Sequence, residues 1–177
     1  MNSRIPAMLA ALAITIAAPA HAAKTAGEIV DDSTINASIK AGLLMDKRTE
    51  AHRINVETYK GIVQLSGFVN SQAERDAATQ VAAAVSSVKE VRNSIAIGPS
   101  GSVGQKFDDS VTTGRVKAAL IDSKDVKSHQ INVETNGGVV QLSGFVTSDT
   151  MRASAARIAA DIGGVKRVDN VLLLKPH

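Results

Sequence analysis

The chain has 177 residues, of which 44% are hydrophobic and 21% charged, as in ordinary globular proteins, and this length fits one or two small domains. A formal net charge of +3 is too small to indicate a polyanionic partner, and with 3 Phe, 1 Tyr and no Trp there is little on which nucleic-acid bases could stack, so we expect no nucleic-acid partner. The absence of cysteine excludes disulfides, thiolate metal sites, cysteine nucleophiles and a lipid-anchor cysteine.

The first 22 residues have the pattern of a cleavable signal peptide. Arg4 supplies a short positive region, residues 7–18 form an apolar run, and Ala20-His21-Ala22 fits the small-x-small cleavage pattern. The run is too short to cross a bilayer core of roughly 30 Å as a helix. We therefore predict cleavage after Ala22 and export of the remaining chain. The alternative is an N-terminal anchor that stays uncleaved.

An internal repeat is the strongest signal in the sequence. Residues 54–69 read INVETYKGIVQLSGFV, and residues 131–146 read INVETNGGVVQLSGFV. The offset of 77 residues holds without a gap from 32/109 to 97/174, and 29 of these 66 pairs are identical. Agreement on this scale indicates a tandem duplication.

Each repeat predicts a helix, two strands, a helix and a final strand. Asp32 and Asp109, with the serines after them, are predicted to cap the first helices, and Ser71 and Ser148 the second helices. The two strands between the helices are joined by Gly-containing hairpin turns. The apolar residues predicted to face the core are Ile35, Ile39, Leu43, Val111, Val116 and Leu120 in the first helices, Ala77, Val81, Val85, Ala155, Ile158 and Ile162 in the second, and Val91, Ile95, Ile97, Val168, Leu172 and Leu174 in the final strands.

The sequence therefore predicts an α+β protein with a tandem repeat of two αββαβ domains, each a three-stranded sheet packed on two helices. We predict a first domain over residues 28–97 and a second over 108–175. Residues 98–107, GPSGSVGQKF, are predicted to be a Gly/Ser-rich linker. Because each unit is near the size at which a single core is marginal, we expect the two domains to support each other by packing.

The pattern INVET-x-x-G-x-V-x-LSG-x-V, in this order of elements, resembles the BON domain. Gly67 and Gly144 match the glycine that typifies the second strand of that family, and the resemblance covers about residues 28–175. It implies an exported envelope or osmotic-stress protein that binds phospholipid surfaces or other hydrophobic ligands and carries no catalytic motif. We therefore expect a soluble periplasmic protein without a cofactor, whose partner is an anionic membrane surface or an envelope protein.

Gly67 and Gly144 lie inside predicted strands, where glycine is unfavourable unless a bulge or a close approach requires it. A ligand approaching the backbone is one explanation. Close packing of a helix on the sheet is the explanation we favour, because the glycine occurs in both repeats.

Other chemistry-bearing residues have ordinary explanations. His52 and His129 occupy one repeat position in separate domains, and a zinc site needs three or four converging ligands, so we predict surface histidines and no metal. Asp31, Asp32, Asp108 and Asp109 could suggest a cation site, but helix capping explains both copies. Ser66 and Ser143 lie in LSGF, which lacks the first glycine of a nucleophile elbow, so we expect no enzyme.

Two features of the second repeat suggest a lipid or partner surface. Arg115, Lys117, Lys124 and Lys127 lie on and just after its first helix, comparable to Lys40, Lys47, Arg48 and Arg53 in the first repeat; each contributes about 1 kcal/mol near an anionic bilayer, although a solvated helix face is the commoner reason for such residues. Phe145, Val171 and Leu173 alternate away from the predicted helices, together with Val139. This apolar face should pack against the first domain or bind an apolar partner.

Three functions remain open at this point. The chain could be an envelope module that binds anionic lipid or envelope proteins, a soluble stress protein that binds unfolded clients in the manner of a chaperone, or a binder of small ligands or cations. A basic surface would favour the first function and an apolar surface the second. The third needs a cavity or converging carboxylates, which the sequence does not clearly offer.

Overall fold

The computed structural model of the protein describes residues 26–98 and 101–176, with side chains from Asp32 onward; the predicted signal peptide lies outside these residues. The first repeat contains α1 (Ala26–Met45), β1 (Ile54–Tyr59), β2 (Ile62–Val69), α2 (Gln72–Ala83), β3 (Glu90–Asn93) and β4 (Ala96–Ile97). The second contains α3 (Val103–Asp122), β5 (Asn132–Asn136), β6 (Val139–Ser143), β7 (Phe145–Val146), α4 (Asp149–Ala160), β8 (Arg167–Asn170) and β9 (Leu173–Leu174). The predicted mixed α+β architecture is confirmed.

The strands of the two repeats pair in the same order, although the first repeat forms one four-stranded sheet and the second a three-stranded and a two-stranded sheet. β1 and β2 form an antiparallel hairpin, and β3 and β4 both pair with β2 in parallel, so β2 is the central strand. In the second repeat β6 pairs antiparallel with β5 and parallel with β8, while β7 pairs in parallel with β9. A helix connects each parallel pair, as parallel pairing requires.

The final strand of each repeat, predicted as one continuous strand, is two short strands with a break between them. Asn93 causes the break in the first repeat: its side-chain oxygen accepts the N–H of Ile95 at 2.9 Å, and its amide donates to Thr79 on α2 at 2.6 Å. Asn170 accepts the N–H of Leu172 in the same way at 3.3 Å. A side chain that binds the neighbouring backbone competes with the hydrogen bonds between strands. The alternating apolar pattern alone therefore overestimated the length of the strand.

Each domain has its own hydrophobic core between the helices and one face of the sheet. The predicted helix residues Ile35, Ile39, Leu43, Val116 and Leu120 are all buried in these cores. The predicted caps of α2 and α4 are confirmed as well, because the hydroxyl oxygens of the serines preceding both helices accept a backbone N–H of the first turn at 3.2 Å.

Three residues predicted to face the cores are exposed. Val111 is 36% exposed because Thr112 occupies the inward position on α3. Ile97 and Leu174 are exposed because they lie in the two-residue strands β4 and β9, which pair on one side only. These positions follow the predicted spacing but lie outside the packed layer.

The first helices begin earlier than predicted, which corrects both the linker and the caps. α3 begins at Val103, where the Ser102 hydroxyl accepts the N–H of Gln105 at 3.3 Å, so residues 103–107 of the predicted linker are helical. Asp32 and Asp109 therefore lie inside helices and do not cap them. Each carboxylate instead accepts two backbone N–H groups of its hairpin turn at 2.8–2.9 Å, those of residues 60 and 61 or 137 and 138.

The two domains pack on each other through the sheet faces that point away from the helices. Gln64, Ser66 and Gly67 of the first domain meet Gln141, Ser143 and Gly144 of the second, and we call these six residues the interdomain face. Both glutamines are almost fully buried, and their amides bind backbone groups of the opposite domain. The expectation that the domains pack together is confirmed.

Candidate functional site

Helix α3 has apolar residues on two opposite sides. Thr112, Val116 and Leu120 are buried against the sheet. With 3.6 residues per turn, the opposite side of the helix carries apolar and glycine residues along its whole length, and all of them are exposed. We call this side the outer face of α3; its members are Val103, Gly104, Phe107, Val111, Gly114, Ala118 and Ile121.

The exposure of this face is large. Val103 is 87% exposed, Phe107 69% and Ile121 67%, and a Cβ added at Gly104 or Gly114 would meet no atom within 4 Å. Single exposed apolar residues are normal on a protein surface, whereas a continuous apolar stripe marks an interaction surface. Among the described side chains, the corresponding side of α1 carries Thr34, Ala37, Ala41 and Leu44, and Met45, which is 83% exposed, lies at the edge of that side.

Basic residues border the outer face. Lys106 and Lys117 lie along one edge of it, and Arg115 lies on the other edge. Lys124 and Lys127 follow the C-terminal end of the helix. All five side chains are exposed, and within the described part of the chain none of them forms an ion pair.

The four basic residues predicted as a patch are therefore not one cluster. Arg115 lines a hollow next to the hairpin turn of the second domain, while Lys117 lines a different one beside Ile121 and His129. Residues two apart on a helix point about 200° apart, which explains the separation. Arg115 and Lys117 lie on opposite edges of the outer face of α3, and this face is what connects them.

The first repeat has a weaker version of this basic border. Lys40 and Lys47 are exposed, as their counterparts are. Arg48 is bound to Asp46 at 2.7 Å, and this ion pair lowers the pKa of Asp46 to about 2. Arg53 lies near Glu50 at 3.5 Å. Two of the four cations are thus engaged with carboxylates of their own chain.

The other predicted partner surface consists of Phe145, Val171 and Leu173, and its first two residues take part in the contact between the domains. Phe145 is only 7% exposed, and its ring lies 5.7 Å from the ring of Tyr59 in the first domain. The carbonyl of Val171 accepts the amide of Gln64 at 2.6 Å. Val171 and Leu173 are half-buried. For Phe145 and Val171, packing against the first domain is therefore the alternative that the structure shows.

Gly67 and Gly144 have a structural role, but helix packing is not its reason. Their φ angles are +111° and +122°, and a Cβ at either position would collide with the backbone carbonyl of Arg53 or Gln130, just before the neighbouring strand. Both glycine N–H groups point to the other domain and donate to its glutamine at 2.6 and 2.7 Å. A close backbone approach thus explains the glycines, as the strand rule requires.

No metal centre emerges from the described residues. His52 and His129 are both exposed, and in the part of the chain that the structure covers no group of three or more His, Cys, Asp or Glu could hold a metal ion. Ser66 and Ser143 hydrogen-bond to each other at 2.8 Å and are buried between the domains. Asp108 is exposed, and the side chain of Asp31 lies outside the described residues.

The outer face of α3 was missed because its first half was assigned to the linker. Glycine and serine dominate the start of that segment, and the prediction placed the helix start at Asp109. Two signals could have found the true start: Ser102 and Gln105 fit the S-x-x-Q capping pattern, and Val103, Phe107 and Val111 repeat every four residues. Among the described residues, no helix combines the length and the apolar content needed to cross a membrane.

Comparison with known proteins identifies the repeat. The family model of the BON domain matches residues 31–99 and 108–176, in agreement with the duplication. The chain is 40% identical over 151 residues to Osmotically-inducible protein Y of Escherichia coli, an alignment that covers 84% of this chain and 75% of that protein.

Two further relatives have similar extents. Outer membrane lipoprotein DolP of Haemophilus influenzae is 35% identical over 149 residues, which cover 84% of this chain and 77% of the relative. A 21 kDa hemolysin of Actinobacillus pleuropneumoniae is 33% identical over 150 residues, with the same two coverages. Together, the family match, the duplicated sheets and the strand glycines show that this chain belongs to the BON domain family and carries two copies of the domain.

Proposed function

We propose that this chain is a non-enzymatic envelope protein of the osmotic-stress type that binds anionic phospholipid surfaces through the outer face of α3. The observation that carries the proposal is the coincidence of an exposed apolar stripe with a basic border on one helix. A helix lying in the plane of a membrane interface needs this combination of an apolar side and Lys/Arg at its edges.

The expected energies indicate weak, reversible binding. Full burial of one large apolar side chain is worth about 1.5–3 kcal/mol, and a residue at the headgroup boundary gains only part of that. Each nearby Lys or Arg adds about 1 kcal/mol and loses it as salt screens the surface. Asp108 and Asp122 lie near the Arg115 edge and oppose the attraction there. The Lys106 and Lys117 edge should therefore face the anionic surface.

The relatives support an envelope location. One of them is named an outer membrane lipoprotein and another an osmotically inducible protein. With the signal-like segment of residues 1–22, this supports export to the periplasm. We also infer that β3 with β4, and β8 with β9, act as one interrupted third strand, which makes each domain the predicted αββαβ unit.

The test is co-sedimentation of residues 23–177 with phospholipid vesicles over a salt series. We expect binding to vesicles that contain phosphatidylglycerol, little binding to phosphatidylcholine alone, and a decrease as salt rises. Ile121→Ser and Lys117→Gln should weaken binding several-fold. Their matched controls are Leu44→Ser and Lys40→Gln, the same repeat positions on α1, which should bind as the parent protein does. Equal losses from both helices would refute the assignment to α3.

The same face supports a second candidate function. An exposed apolar stripe can also hold an unfolded client in the manner of a chaperone, and the hollow of about 220 Å³ beside Ile121 widens it. Aggregation of a denatured client protein distinguishes the two functions. Suppression that is lost in Phe107→Ser but insensitive to salt, together with absent vesicle binding, would favour the chaperone-like function.

A further inference from the structure

The hydrogen bonds between the two domains come in reciprocal pairs. Gln64 donates to the carbonyl of Val171 at 2.6 Å, and Gln141 donates to the carbonyl of Ser94 at 2.9 Å. Positions 94 and 171 are 77 residues apart, as are positions 64 and 141. The second bond is therefore equivalent to the first, with the donor and acceptor domains reversed.

The other described bonds across this interface obey the same rule. The N–H groups of Gly144 and Gly67 donate to the side-chain oxygens of Gln64 and Gln141 at 2.7 and 2.6 Å. Asn55 donates to Glu134 at 3.2 Å, and Asn132 donates to Glu57 at 2.7 Å. Ser66 meets its own counterpart, Ser143, at 2.8 Å, on the axis that relates the two halves.

This reciprocity is the property of an isologous interface, in which one surface binds a second copy of itself. The side chains that make the bonds between the domains are identical in the two repeats. The one position that differs, Ser94 against Val171, contributes its backbone carbonyl to these bonds, and the Ser94 hydroxyl also accepts from Gln64 within the first domain at 3.3 Å. The hydrogen-bonding groups of each domain therefore complement those of the other domain in any copy of the chain, while the contact between the rings of Tyr59 and Phe145 occurs on one side only. Nothing in these contacts requires the two domains to belong to the same chain.

We propose that a second copy of this chain docks by domain exchange, so that the first domain of each chain packs on the second domain of the other through these same bonds. The centre of the interface consists of amides and hydroxyls, which water can satisfy when the domains separate, while the rings of Tyr59 and Phe145 beside it become exposed in the open chain. A short connection makes the contact within one chain equivalent to an effective concentration on the order of millimolar. Exchange therefore becomes significant when the protein itself approaches that concentration.

The first test uses residues 23–177 without substitution. The protein is unfolded in denaturant and refolded at about 1 mM, which is on the order of the effective concentration, and at about 10 µM, which is far below it. Light scattering on a sizing column should show a dimer after the concentrated refolding and monomer after the dilute one. Monomer alone at both concentrations would overturn the proposal.

The second test identifies the contact, and the absence of native cysteine makes it clean. Chains carrying Ser66→Cys or Ser143→Cys are refolded together at high concentration and oxidised. Both serines are buried between the domains, so a disulfide that joins one chain to the other requires exchange. A chain with both substitutions should form an internal disulfide, which shows that the sulfur atoms can meet.

The control for random collision is Ser38→Cys, at an exposed position on α1. Linked dimers from the mixed Ser66→Cys and Ser143→Cys chains that exceed those of this control several-fold support exchange. Linked dimers at the level of the control, or free thiols only, contradict it.

Discussion

At the level of single residues, backbone conformation and backbone contacts explain why glycine occupies positions 67 and 144. Each has a positive φ, lies against a backbone carbonyl just before the neighbouring strand, and donates its N–H to the other domain. The sequence predicted that these glycines are structural, since they occur in both repeats. It could not predict the neighbour, because a strand glycine is equally compatible with a helix, a ligand or another strand approaching it.

We expect Gly67→Val and Gly144→Val each to lower the free energy of unfolding by about 2–6 kcal/mol. A left-handed residue other than glycine costs about 1–3 kcal/mol, and overpacking against a rigid backbone about 1–3 kcal/mol more. Urea unfolding of the variants measures the loss. A Val variant that unfolds like the parent protein but has lost vesicle binding would instead assign these glycines to a ligand.

The sequence singled out Asp32 and Asp109 as structural residues, but the role that it predicted for them was wrong. Both residues were predicted to cap helices, but each holds the two N–H groups of a hairpin turn from inside a helix. The prediction failed because the helices begin earlier, so the carboxylates face the sheet. An aspartate that caps a helix and an aspartate that binds a hairpin turn look the same in the sequence. They differ only in which backbone N–H groups lie opposite the carboxylate.

Removal of the turn anchor should cost stability. Asp109→Ala leaves the N–H groups of Gly137 and Gly138 without their acceptor, so we expect the free energy of unfolding to fall by about 1–3 kcal/mol. Asp108→Ala is the control, because Asp108 is exposed on the same helix. Thermal or urea unfolding of both variants decides the question, and similar losses in the two would mean that the turn does not depend on Asp109.

At the level of elements, the four helices and the hairpins follow from local sequence, while the ends and breaks do not. Helical spacing located the buried residues of α1 and α3, and serines located the starts of α2 and α4. The start of α3 was missed because glycine and serine around residues 98–104 outweighed a capping pattern. The break in each final strand depends on an asparagine side chain bonding to the backbone, which alternation of apolar residues does not encode.

The glycines of α1 and α3 give a matched pair of predictions about these helices. Gly114→Ala should raise the free energy of unfolding by about 0.5–1 kcal/mol, because alanine favours the helix and the new methyl group meets no neighbour. Gly42→Ala should not give this gain, because its Cβ would lie 2.8 Å from a methyl group of Val81. Chemical denaturation of the two variants measures the difference. Equal gains at both positions would show that α1 and α2 can move apart freely.

At the level of the whole molecule, the domain order was predictable and the chemistry of the interface was not. The duplication gave two similar domains, and their small size indicated that they pack together. The sequence pointed to apolar residues such as Phe145 for this contact, because an apolar face usually seeks burial. The centre of the contact instead consists of buried glutamines and serines, whose partners are backbone groups that the sequence does not reveal.

Gln141→Leu should therefore destabilise the protein despite its similar size and greater hydrophobicity. The change leaves the N–H of Gly67 and the carbonyl of Ser94 without the amide that binds them, at a cost of about 1–3 kcal/mol for each group that stays buried. Gln72→Leu, at an exposed position on α2, should change stability by no more than about 0.5 kcal/mol. Urea denaturation compares the two, and a neutral Gln141→Leu would show that the interface relaxes or admits water.

The contact between the domains also bears on how a duplicated gene can drift. Each glutamine recognises main-chain atoms, an N–H and a carbonyl, which every residue except proline supplies. Ser94 in one repeat and Val171 in the other therefore serve the same bond although their side chains share no chemistry. Two domains joined in this way are free to diverge over most of their surface. One of them can acquire an exposed apolar helix without weakening the contact with the other domain.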